Sequence, residues 1–180
     1  MEINGQPFVL LKEKYAEYDS KGRTVTFYKK EKSQDLTFVF SFLLEDATGG
    51  CNDKSLEHGT YEVNGTALTL YTLWERKGSV DDAPFGGRIK RYEVSKSGEI
   101  KLRSSQLYVE KHTEGSDPDS GMKFLFDAPK TKEEKESLAE YVGSVEKYFH
   151  GDFLFGDDAK ALMIEIREAQ KQHFKRRWKR

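Results

Sequence analysis

The stretch Gly59-Thr60-Tyr61-Glu62-Val63-Asn64-Gly65-Thr66-Ala67-Leu68-Thr69-Leu70 decides the fold. On each side of Asn64-Gly65 the residues alternate between apolar and polar, the two-residue period of a strand with one buried face. Asn-Gly between two such runs is the strongest short hairpin signal, because a type I′ turn needs positive φ at both central positions. The expectation is therefore two antiparallel strands, Gly59–Val63 and Ala67–Glu75, with Leu68, Leu70 and Trp74 on one face.

Working outward, the same pattern repeats. Phe8–Tyr18 follows Pro7 and is closed by Asp19-Ser20-Lys21-Gly22. Arg23–Lys30 places Val25 and Phe27 on one side and Thr24, Thr26 and Tyr28 on the other. Leu36–Leu44 carries Phe38, Phe40 and Phe42 on one face and Val39 and Leu43 on the other. Apolar residues on both faces mark a strand buried on both sides, so this one is expected at the centre of the sheet. Glu45–Leu56 reads as a polar loop, and Arg76–Gly87 as another. Arg88–Val94 and Glu99–Leu102 form a hairpin around Ser97-Gly98, and Gln106–Lys111 and Met122–Phe126 complete eight or nine strands. No helix of adequate length separates them, so parallel crossovers are not expected.

Beyond Pro129 the period changes. Thr131 followed by Glu134 is a capping-box pattern. Leu138, Tyr141, Val142, Val145, Tyr148 and Phe149 then recur at helical spacing up to the break at Gly151–Gly156. Asp157 or Asp158 opens a second helix that presents Leu162, Met163, Ile166, Ala169 and His173. The expected fold class is α+β, mainly β with C-terminal helices. The strands form an antiparallel meander, either an eight-stranded barrel or a strongly twisted sheet, packed by a C-terminal helical hairpin. One domain over 1–180 is expected, with a β body at 6–127 and a two-helix segment at 131–178. The helices are placed at 132–149 and 157–176.

Composition narrows the classes. With 36% apolar residues, nine Tyr and twelve Phe in 180 residues, the chain can build a core. One cysteine, Cys51, excludes an internal disulfide framework and any multi-cysteine zinc site. Met1–Gly5 shows no basic region followed by an apolar run, and no stretch approaches a membrane span. The expected location is cytoplasmic, or periplasmic or secreted if a signal peptide was removed.

Charge is distributed unevenly. Residues 171–180 hold six cations, Lys171, Lys175, Arg176, Arg177, Lys179 and Arg180, and no acid. Subtracting these six from the 30 basic residues leaves 24 against 31 acidic ones, a formal charge of −7. These six are the candidate contacts for an anionic partner. A helix C-terminus also favours cations through its dipole. With no second basic patch visible, the tail is expected to finish the helix against the acidic body, and nucleic acid is not expected as a partner.

Candidate chemistry is sparse. His58, His112, His150 and His173 show no metal-ligand spacing, and Asp117–Gly121 departs from a calcium loop in the place of its glycine. Cys51 has His58 seven residues on but no recognisable nucleophile motif. No metal, cofactor or catalytic residue is assigned. Phe27, Phe38, Phe40, Phe42, Trp74, Phe124 and Phe126 either fill the interior or line a cavity for a small apolar ligand. Tyr15, Tyr28, Tyr61, Tyr71, Tyr92 and Tyr108 are placed on outer faces, where they support a protein interface.

The 59–70 stretch resembles the hairpins of lipocalin-like small-ligand barrels, which belong to the calycin-like folds. The early Gly-x-Trp of those proteins is missing near Gly5 and Gly22, so the resemblance is one of shape and carries over no ligand and no binding residue. Three function classes follow in order. A non-enzymatic binding or interaction module, with a protein partner or a second copy, leads. A small apolar-ligand or lipid carrier is second, and an enzyme with a site assembled from loops is third.

Overall fold

In the computed structural model, residues 1–16, 20–48, 54–77, 86–109, 130–136 and 151–177 are described. Among these residues, nine strands follow the chain in one sheet. They are β1 (Glu2–Ile3), β2 (Gln6–Ala16), β3 (Ser20–Lys30), β4 (Leu36–Thr48), β5 (Lys54–Asn64), β6 (Ala67–Lys77), β7 (Gly86–Val94), β8 (Ile100–Val109) and β9 (Asp152–Phe153). Each strand pairs with its sequence neighbour, antiparallel from β1 to β8. The last pairing, β8 with β9, is parallel. A helix, α1, is described over 132–136, and α2 runs from Gly156 to Arg177.

The meander is as expected, but the barrel is not. The strand order is linear and the sheet stays open, so the twisted-sheet alternative holds. The sheet nevertheless coils back on itself. Ile3, Phe8, Val25 and Phe27 of β1–β3 share one buried cluster with Leu68 and Leu70 of β6 and Val94 of β7. Phe27 stacks on Phe40 at 4.9 Å and meets Tyr61 edge-on at 5.6 Å, while Phe40 stacks on Tyr92 at 5.5 Å. The apolar faces of the two halves of the sheet therefore close on each other. We call this the inner face.

The opposite face of β6–β8 is covered by α2. Ala159, Leu162, Ile166 and Ala169 recur at helical spacing and pack with Tyr71, Ile89 and Tyr108. The helix is also fastened by polar contacts. Gln170, almost fully buried, donates to the carbonyl of His58 at 2.9 Å. Arg91 grips both carboxylate oxygens of Glu165 at 2.9 and 2.8 Å. Tyr71 lies under the helix with its hydroxyl 3.3 Å from Glu62. Burial first, then the charges of Glu62 and Glu165, push its pKa up to about 12. An unfolded tyrosine ionises near pH ~10. Between those values the unfolded chain gives up the proton first, so stability is lost as pH rises through this window. Urea titrations of the wild type and Tyr71→Phe at about pH 9 and about pH 11 check this: the wild type should lose more between the two.

Turns depart from expectation in an instructive way. Asn64 is the last residue of β5, paired with Ala67, so the two-residue turn is Gly65-Thr66. Gly65 has φ 60°, and Asn64 and Thr66 are not among the positive-φ residues. That is the type II′ pattern, not I′. The I′ pattern occurs at Asn4-Gly5, with φ 53° and 73° between Ile3 and Gln6. Reading Pro7 as the opening of the first strand passed over this Asn-Gly.

Several strand readings are also corrected. β4 is not buried on both sides, because Leu36 is 50% and Phe38 59% exposed. Phe27 pairs with Phe40 and Tyr28 with Phe38, so Val39 is the extra residue of a bulge. The bulge turns Phe38 to the outer face, away from Phe40 and Phe42. Glu45–Thr48 and Lys54–Leu56, read as loop, are the paired ends of β4 and β5. Glu99–Leu102 and Gln106–Lys111, read as two strands, join in the single strand β8 (Ile100–Val109), which carries a register shift opposite Arg91/Tyr92; residues 110 and 111 lie outside the described residues. Tyr61 and Tyr92 belong to the inner aromatic cluster, and Tyr71 and Tyr108 lie under α2, not on open faces. The capping box forms as written: Glu134 N–H donates to Thr131 Oγ1 at 3.1 Å, and Thr131 N–H donates to Glu134 at 3.0 Å. The helix 157–176 matches α2. Of 132–149, only 132–136 is described, and Met122–Phe126 lies outside the described residues.

Candidate binding groove and sheet edge

A groove of about 460 Å³ lies where β2 and β3 approach the end of α2. Lys12, Lys14, Arg23, Glu45, His58 and His173 line it, together with Glu13, Leu44, Gly59 and Gln170. A second groove of about 400 Å³ continues along Lys14, Tyr15, Ala16, Lys21, Gly22 and Arg23.

Strand register explains the charge. Lys12 pairs with Val25, Lys14 with Arg23 and Ala16 with Lys21. Cross-strand partners share a face, so Lys12, Lys14, Lys21 and Arg23 stand on one side of the sheet. Glu13, between the two lysines, also borders the groove, although its side chain alternates to the other side of the strand. Arg23 donates to Glu45 through Nε at 2.8 Å and also through a second guanidinium nitrogen, so the Glu45 carboxylate is engaged. Lys12, Lys14 and Lys21 are exposed and form no ion pair among the described residues. His58 and His173 add two imidazoles from β5 and α2. The groove therefore presents the lysine charge of β2 to whatever enters it, and Lys21 of β3 lines the adjoining groove.

Among the described residues, β2 is also an open edge of the sheet. β1 covers β2 only at Gln6, Pro7 and Phe8. Phe8 N–H donates to the Met1 carbonyl at 2.7 Å, and the Met1 amino group donates to the Phe8 carbonyl at 2.8 Å. The Phe8 peptide groups thus point outward. Backbone groups alternate along a strand, so those of Leu10, Lys12, Lys14 and Ala16 point outward too. Beyond Phe8, no described strand pairs with them.

The residues expected to carry function are placed as follows. Phe27, Phe40 and Phe42 pack ring against ring, with centroids 4.9–6.4 Å apart. Trp74 is 5% exposed, with the Arg88 guanidinium 5.5 Å from its ring centre. Phe38 is on the outer face beside Tyr28, at 6.1 Å. None of these lines either groove. Phe124 and Phe126 lie outside the described residues, as does Cys51. In the tail, Lys171 is exposed and bridges to Glu168 at 2.7 Å, one turn back on its own helix. The side chains of Lys175, Arg176 and Arg177, and all of Lys179 and Arg180, lie outside the described residues.

Two further cations sit on the inner face. Burial lowers the pKa of Arg88 and Lys90, and Glu57 opposes both shifts. Among the described residues, no group of three or more His, Cys, Asp or Glu could hold a metal ion. No helix among them is long and apolar enough to cross a membrane. Comparison with protein-family models, curated proteins and solved structures returns no match.

Lys12 and Lys14 were missed in the sequence. Their stretch, Leu10-Leu11-Lys12-Glu13-Lys14, reads as imperfect alternation, and nothing local shows that it will face Arg23 and the end of α2.

Proposed function

We propose that this protein is a non-enzymatic binding module that engages an anionic partner at the groove between β2–β3 and the end of α2. One observation carries the reading: Lys12 and Lys14 of β2, which form no ion pair among the described residues, line one groove with His58 and His173 from two other elements. The six cations of residues 171–180 continue the chain from that same end of α2. The second basic patch that the tail lacked in the sequence is supplied by strands far away in the chain. The rest of the surface is net acidic, so an anion is steered to this end.

A carrier of small apolar ligands has less support. It needs volume in front of the Phe-rich strand, and Phe27, Phe40, Phe42, Tyr61 and Tyr92 pack on one another there.

A labelled glutamate oligomer tests the anionic reading. Its binding should weaken about tenfold or more between about 0.05 M and about 0.3 M salt, since the attraction is between exposed charges. Lys12→Glu with Lys14→Glu should abolish it with stability changed by less than about 0.5 kcal/mol, because both side chains are exposed. Equal binding of a lysine oligomer, or unchanged binding by the double variant, would sink the reading.

A further inference from the structure

We infer that the β2 edge is a strand-addition site for an extended acidic segment of a partner protein, with Asp or Glu at every second position. The inference rests on the binding-module reading and adds to it the mode of binding and the ligand pattern.

The argument is geometric. Leu10, Lys12, Lys14 and Ala16 direct their amides and carbonyls outward, where no described strand meets them. By the same parity, the side chains of Lys12 and Lys14 stand over the groove. In an added antiparallel strand, residues that exchange both hydrogen bonds with Lys12 and Lys14 lie about 5.5 Å away, Cα to Cα, with side chains on that same face. Those positions want carboxylates. The alternate positions fall on the outer face beside Val9, Leu11 and Glu13, and the two beside Val9 and Leu11 meet apolar side chains that are 39% and 44% exposed. Those positions want apolar side chains. The edge thus specifies an acidic–apolar alternation, with main-chain bonds giving affinity and side chains giving choice.

A second copy of this chain is rejected by the same lysines. The outward residues are Leu10, Lys12, Lys14 and Ala16, and any antiparallel register of two β2 edges that spans three or more bonded pairs sets lysine against lysine. Edge lysines are a common defence against self-pairing. Here they block the chain itself and admit a strand of opposite charge.

The test uses the full chain and an octapeptide alternating Val and Glu. The peptide should bind, and its Val–Lys counterpart should not. Two alternately N-methylated forms then decide the mode. Methylation of the Glu amides removes the donors that face β2 and should weaken binding about tenfold or more, while methylation of the Val amides should change it less than about threefold. Hydrogen exchange at Lys12 and Lys14 should slow when the peptide is added. If both methylated peptides bind equally, strand addition is overturned and anion capture in the groove still stands. If the Val–Glu peptide fails while the glutamate oligomer binds, the edge is likewise excluded. If Lys12 and Lys14 amides are as protected as Phe8 in the free protein, the edge is already occupied by another part of this chain or a second copy, and the inference fails.

Discussion

Gly59→Ala should destabilise the protein by about 3 kcal/mol or more, among the largest losses expected from adding one methyl group. A Cβ built on Gly59 would sit 2.0 Å from the Leu43 carbonyl oxygen and 3.3 Å from Leu44 Cα. Those are backbone atoms and cannot swing aside as a flexible side chain does. β4 and β5 pair from Glu45–Thr48 to Ser55–His58, and the close approach at Gly59 falls immediately beyond the last pair. The measurement is urea unfolding beside Gly65→Ala. Gly65 has nothing within 4 Å of its Cβ position and suffers only its φ of 60°. Its alanine variant should lose about 1 kcal/mol. Equal losses at the two sites would mean that β4 does not approach β5 as described.

Ile166→Ala should lose about 3 kcal/mol and lower Tm by about 6–12 °C. Ile166 is 0% exposed and is the centre of the α2 contact with Ile89 and Tyr108. Its Cδ1 lies 2.7 Å from the Cβ position of Gly87, so the side chain fills the space that a glycine leaves on β7. Ile164, two residues earlier and 58% exposed, supplies the control. Ile164→Ala should stay within about 0.5 kcal/mol of the wild type. A matched pair of losses would show that α2 does not dock through this face.

What could be read beforehand was whatever depends on neighbours in sequence. Two-residue alternation and turn residues located the hairpins of β5–β6 and β7–β8, and the spacing of Leu162, Ile166 and Ala169 located α2 and its buried side. The Thr131–Glu134 cap was legible because both partners lie within one turn. Facing was less legible. A single bulge at Val39 reversed Phe38, and no local feature of a Phe-Val-Phe-Ser-Phe run announces where pairing will skip. Polar strand ends such as Glu45–Thr48 look like loops, since a hairpin arm exposed to water needs no apolar face. The groove was illegible for a different reason. Its charges come from residues 12–23, 45, 58 and 173, and each stretch alone reads as ordinary solvated surface.

β6 has a consequence for how the chain can change length. Leu68 and Leu70 point into the inner cluster while Tyr71, between Leu70 and Thr72, points beneath α2. The strand is a party wall, furnished on both sides. A single inserted or deleted residue within Leu68–Tyr71 would exchange the furnishings of both rooms at once, setting a tyrosine among the stacked rings and a leucine or threonine where the Glu62 contact stands. Two inserted residues keep each side chain on its own side. Length variation inside this strand should therefore be tolerated in twos, whereas a residue added at the Gly65-Thr66 turn leaves the parity of β6 intact and has only to keep the bonds that the Asn4 and Val94 N–H groups make to the Gly65 and Thr66 carbonyls.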